Sequence, residues 1–88
     1  MDTTMRKYME AFGFASPRQV SCEICGRPAA MIYHISGTAG SLRTRPDNMI
    51  AVCRHCNLEI KAGQLKPEFL KRKHTRFTQF RILLNRVR

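Results

Sequence analysis

Met5, Tyr8, Met9 and Phe12 recur at i, i+3, i+4 and i+7, which predicts an amphipathic helix over residues 2–14 with its apolar stripe in the core. Asp2, Thr3 or Thr4 can cap its start, Gly13 ends it, and Ser16-Pro17 opens a new segment. The periodicity then changes. AAMIYHI (Ala29–Ile35) and NMIAV (Asn48–Val52) are short apolar runs between turn residues, the pattern of strands. The segment joining them, Ser36–Asp47, is rich in glycine and hydroxyl residues and carries Arg43 and Arg45, so it is expected to be a loop. A helix is expected to follow Cys56 and to stop at Gly63. A long one begins at Lys66, with Pro67 in its first turn. Phe69, Leu70, Phe77, Phe80, Leu83 and Leu84 give that last helix an apolar face, of which Phe69, Leu70, Phe77 and Phe80 are expected to pack inward, and Lys and Arg surround the rest.

With 88 residues the chain is expected to form one domain, with a core small enough to need a staple. Four cysteines supply one. They stand as two CxxC pairs, Cys22 with Cys25 and Cys53 with Cys56, set apart by Gly26–Val52. Two thiolates at this spacing in a turn can each reach about 2.3 Å from a tetrahedral zinc ion, and two pairs close the shell with no open position. Disulfides are the alternative. The polar start, MDTTMRKYME, lacks the apolar stretch of an export signal, and reduced thiols in a cytoplasmic setting favour a structural Zn²⁺. No run of about 18 apolar residues is present to span a membrane. With the metal shell full, His55 and His74 are expected to be solvated or packing residues.

Charge narrows the partners. Sixteen Lys and Arg against six Asp and Glu give a formal net charge of +10, which directs attention to a polyanion. DNA is the expected one, and RNA suits the charge as well. Contacts are expected from the loop residues Arg43 and Arg45 and from Lys71, Arg72, Lys73, Arg76 and Arg81 on the last helix, with Arg86 and Arg88 beyond them.

The order of these features has a counterpart. CEICGRPAAMIYHI followed by RPDNMIAVCRHCN (residues 20–62) resembles the zinc-stapled branch of the HNH endonucleases, the ββα-metal nucleases. The flanking helices are loosely similar to those of small phage or prophage members. The resemblance implies a small α+β domain. Its core would be a treble clef or ββα-metal motif, with the N-terminal helix and the basic helix 66–88 beside it. It also implies roles. His34 matches the catalytic histidine that ends the first strand, Asn48 the middle asparagine five positions before the third cysteine, and Asn57 the position after the fourth. On that match His34 is the general base, Asn48 orients its ring through an amide oxygen, and Asn57 helps to hold a catalytic Mg²⁺ or similar ion. Tyr33 departs from the pattern, since the family has Asp or His there as a metal ligand, and a neutral phenol is a poor ligand for such an ion. Two readings therefore stand: a metal-dependent DNA endonuclease, or a degenerate module that binds nucleic acid or a protein without cleaving. An RNA- or ribosome-associated zinc protein is a third.

Overall fold

A computed structural model describes residues 3–87, with side chains described for residues 3–83. Five elements carry the fold: α1 (Thr3–Phe12), β1 (Met31–His34), β2 (Met49–Val52), α2 (Arg54–Lys61) and α3 (Pro67–Val87). Short 3-10 turns at Pro17–Gln19, Gly40–Arg43 and Pro46–Asn48 shape the connections. The result is a small α+β domain in which an antiparallel hairpin pairs Met31 with Val52 and His34 with Met49.

The hairpin separates two apolar layers, which explains why β2 is an unbroken apolar run rather than an alternating one. Met49 and Ala51 pack under Met5, Tyr8, Met9 and Phe12 of α1. Ile50 and Val52 face the cysteines, Ile60 of α2 and Leu70 of α3. Every residue of β2 is buried, whereas β1 is half-buried throughout. β1 is shorter than the expected Ala29–Ile35 because the Ala29 amide donates to the Val20 carbonyl at 3.0 Å instead of extending the ladder.

The helix ends follow from local chemistry. Gly13 and Gly63 have φ of +78° and +79°, values that glycine adopts without strain. Beyond each, an amide returns to the last turn: Phe14 to Met9 at 2.9 Å and Gln64 to Glu59 at 3.0 Å. This is the Schellman arrangement. α1 is accordingly shorter than the expected 2–14. Asp2 as a cap, and the side chains of Leu84, Arg86 and Arg88, lie outside what is described.

α3 differs from expectation in its second half. Phe69, Leu70 and Phe77 pack against the two layers, but Phe80 and Leu83 are each 59% exposed. A helix of 21 residues is about 32 Å long, and the hairpin is too short to cover all of it. No described helix is long and apolar enough to cross a membrane.

Candidate functional site

The two CxxC pairs meet. The Sγ atoms of Cys22, Cys25, Cys53 and Cys56 all lie within 4.8 Å of one another, and Cys25 and Cys53 approach to 3.6 Å. Four thiolates around a tetrahedral zinc would sit about 3.8 Å apart, so the cluster fits a structural metal of that type. None of the four is in a disulfide, and all except Cys25 are buried. In the first knuckle Gly26 donates to the Cys22 carbonyl at 2.9 Å. In the second, Cys53 caps α2, its sulfur accepting from the Cys56 amide at 3.4 Å. That hydrogen bond pulls the Cys53 thiol down to about 7, while burial pushes Cys56 up.

His34 lies at the end of β1, and its Nε2 is 3.0 Å from the Arg43 carbonyl. A carbonyl only accepts, so Nε2 carries the proton and Nδ1 keeps a free lone pair. Nδ1 has no hydrogen-bond partner among the described residues.

Asn48 does not reach this ring. It is 4% exposed, and its amide is used entirely on the loop backbone. Oδ1 accepts from Ser36 N at 2.6 Å, and Nδ2 donates to Gly37 O at 2.8 Å and Leu42 O at 2.9 Å. The expected direct contact to His34 is therefore replaced by an indirect one. Asn48 clamps both ends of the loop, and the loop's next carbonyl, that of Arg43, holds the ring.

Asn57 sits on α2, 8% exposed, with no side-chain hydrogen bond among the described residues. Among the described residues every fully buried side-chain N or O has a partner, so the Asn57 amide must touch solvent, where a ligand could meet it. No hydrogen bond links it to His34. Tyr33 is half-buried and packs against the layer that contains the cysteines, so at this position a ring has taken core duty.

The basic residues divide into free and engaged. Arg72 and Arg76 are exposed, and their side chains have no hydrogen bond or ion pair among the described residues. Lys73 lies over the Phe69 ring at 5.6 Å. Arg45 pairs with Asp47 at 2.8 Å. It shares with Lys71, Ser36, Asn48 and Thr75 a cleft of about 340 Å³ between the loop and α3. Arg81 is not available as expected. It donates to the Phe12 and Gly13 carbonyls, and its guanidinium stacks 4.3 Å from the Phe14 ring centre.

His55 is solvated as expected, paired with Glu59 at 2.9 Å. His74 is more than packing. Its Nδ1 is 2.7 Å from Glu23 Oε1, and its Nε2 is 2.7 Å from the Pro46 carbonyl. Glu23, between Cys22 and Cys25 in sequence, also accepts from Tyr8 OH at 2.5 Å and Ala51 N at 3.0 Å. Burial works to lower the His74 pKa, but the Glu23 hydrogen bond and charge, with the Pro46 carbonyl, outweigh it and hold it above the ordinary value. Burial, then Glu23, pushes the Tyr8 hydroxyl up. The place of His74 between Leu70 and Phe77 in an apolar stripe signals its burial. Nothing in CEIC signals that Glu23 turns inward.

The model of the HNH endonuclease family matches residues 22–63. Over this stretch, just under half of the chain, the sequence is similar to that family. No curated protein and no solved structure matches the chain. The HNH stretch opens at the first zinc-type ligand and closes at the glycine that ends α2, so it holds the four cysteines, the hairpin and the expected catalytic positions. α1 and α3 lie outside it. The match points to a nuclease-type or nucleic-acid-directed role, and the cysteine cluster fits a zinc-binding HNH variant.

Proposed function

We propose that the chain is a metal-dependent HNH endonuclease that hydrolyses phosphodiester bonds in DNA, with zinc as its structural metal. The observation that supports this most is the state of His34: one ring nitrogen tied to the Arg43 carbonyl, the other free. An imidazole so held can take a proton from water near neutral pH. The water oxygen then bonds to phosphorus, the P–O ester bond breaks, and the leaving oxygen takes a proton from solvent. Asn57 is the residue that would help to hold a Mg²⁺-type ion, which when bound neutralises charge on the phosphate and leaving oxygen. Arg43, Arg45, Lys71, Arg72, Lys73 and Arg76 supply phosphate contacts along the loop and the exposed side of α3.

The test is incubation of the purified protein with supercoiled plasmid and Mg²⁺, Mn²⁺ or Ni²⁺. Nicking is expected, and His34→Ala is expected to lower its rate by roughly 10²–10⁴ with metal content and DNA affinity unchanged. Equal nicking by His34→Ala would show that the site is assigned wrongly.

Tyr33 favours a second reading, a module that binds without cleaving, because its ring is built into the core where the family has a metal ligand. Tyr33→Asp and Tyr33→His discriminate. An inactive parent made active by either substitution is a degenerate nuclease. A parent that nicks, and needs less Mg²⁺ after the change, is an enzyme with a weakened site.

A further inference from the structure

His74 is remote from His34 in sequence, lies outside the HNH stretch and makes no contact with the ring, yet a continuous set of bonds joins them. Its ring has a side-chain exposure of 4% and is wedged edge-on to Phe12 at 5.6 Å and alongside Phe77 at 6.1 Å between ring centres. Its two nitrogens face two acceptors, Glu23 Oε1 and the Pro46 carbonyl, so each donates one N–H. Pro46 begins the 3-10 turn that ends at Asn48. Asn48 in turn fixes Ser36, Gly37 and Leu42 through its amide. Its own carbonyl accepts from Ile35 N at 2.9 Å. Leu42 is followed by Arg43, whose carbonyl holds His34 Nε2.

We infer that His74 is a positioning residue for His34. By fixing the Pro46 carbonyl it sets the turn that places Asn48, and Asn48 sets the loop whose Arg43 carbonyl selects the ring tautomer with Nδ1 free. Glu23 anchors the other side of His74 to the metal knuckle. The cleft-facing loop is otherwise exposed and held at few points. Without the Pro46–His74 bond the turn keeps its internal bonds, Asn48 N to Arg45 O and Met49 N to Pro46 O, but has no hydrogen bond to α3 among the described residues. Its surface ion pair between Arg45 and Asp47 is of a kind that stabilises little. The effect on cleavage rests on the endonuclease reading above. The effect on the His34 tautomer does not.

The two nitrogens allow a test that separates positioning from plain stabilisation. An asparagine side-chain NH₂ overlays Nδ1 and a glutamine NH₂ overlays Nε2. His74→Asn therefore keeps the bond to Glu23 and gives up the one to Pro46, and His74→Gln does the reverse. Both variants lack a charged bond that the parent has and are expected to melt at lower temperature. Long-range proton–nitrogen NMR spectra at a pH where His34 is neutral report its tautomer. The parent and His74→Gln are expected to show Nε2–H alone, and His74→Asn a mixture of the two forms. Plasmid nicking by His74→Asn is expected to fall by roughly 10²-fold at unchanged KM, the scale of an error of about 1 Å at a reacting group, with His74→Gln close to the parent. Matching His34 spectra in the parent and a folded His74→Asn would overturn the inference. If His74→Asn does not fold, His74→Gln alone decides, and a folded His74→Gln with mixed His34 tautomers sinks it. If no protein nicks, the endonuclease reading fails, while the spectra still judge His74.

Discussion

Arg81 of α3 donates from Nε and Nη2 to the carbonyl of Phe12, at 3.0 and 2.7 Å, across 69 positions of sequence. The last carbonyls of a helix have no partner within it, and here two N–H groups of one guanidinium converge on the Phe12 oxygen. Arg81 thus acts as the C-terminal cap of α1 from another helix. Arg81→Ala is expected to destabilise the fold by about 1.5–3 kcal/mol, the range for bonds to a charged group, as measured by urea unfolding. Arg81→Lys should recover only part of this. An unchanged unfolding midpoint would mean that the cap contributes nothing.

Arg72, Arg76 and Lys71 should behave in the opposite way, because their side chains are exposed and have no hydrogen bond or ion pair among the described residues. Their alanine variants are expected to keep the parent's melting temperature and to weaken duplex DNA binding. Removing one phosphate-binding cation should flatten the plot of log K against log salt by about 0.9. Fluorescence anisotropy titrations over a salt series measure this. Binding that ignores salt would exclude a phosphate-dominated interface.

The same contrast shows what the sequence makes legible. An all-apolar NMIAV run between turn residues carries its own burial, and paired CxxC motifs carry their own convergence, because both depend on local spacing. Arg81 and Arg76 are indistinguishable in a sequence of basic helix positions. Which of them is free depends on where α1 ends in space. Phe80 departs from expectation for a related reason: the apolar stripe of α3 runs on beyond the short hairpin that could cover it. For Asn48 the residue is legible and its partner is not, since an amide can serve a ring or a loop, and only the path of Ser36–Arg43 decides. Glu23 reads as a surface residue in sequence, and only the position of His74 beside it explains its burial.

Metal removal should be drastic. Zinc analysis of untreated protein is expected to give one ion per chain, held by Cys22, Cys25, Cys53 and Cys56. Binding energies of structural zinc in small domains are about 10–16 kcal/mol, far above the net stability of a chain this short. Chelation should therefore abolish the cooperative thermal transition, with Cys56→Ser doing the same at its buried position. A folded, metal-free chain in circular dichroism would contradict this.

Stability should also depend on pH through His74. Its pKa is raised in the folded state from about 6.5 in the unfolded chain. The folded state therefore binds this proton more tightly, and its stabilising effect is complete below the unfolded value. The effect is lost as pH rises through the folded value. Thermal melts of zinc-loaded protein are expected to shift downwards as pH is taken above neutral, and His74→Gln should remove that part of the slope. Loss of metal through thiol protonation acts on the acid side, so the two contributions are separable. A slope identical in His74→Gln would assign the effect to another group.

Glu23 has a fully buried carboxylate, and the hydrogen bonds of this residue reach Tyr8 of α1, Ala51 of β2 and His74 of α3. If α3 peeled away, a buried negative charge would remain without its cation, which typically costs several kcal/mol. If α1 left, Tyr8 would leave with it. Neither helix can therefore open alone at low cost, although both lie outside the family's stretch. The flanking helices and the hairpin with its cysteine cluster are bound into one cooperative unit, in which the slowest amide exchange of each should approach the free energy of global unfolding.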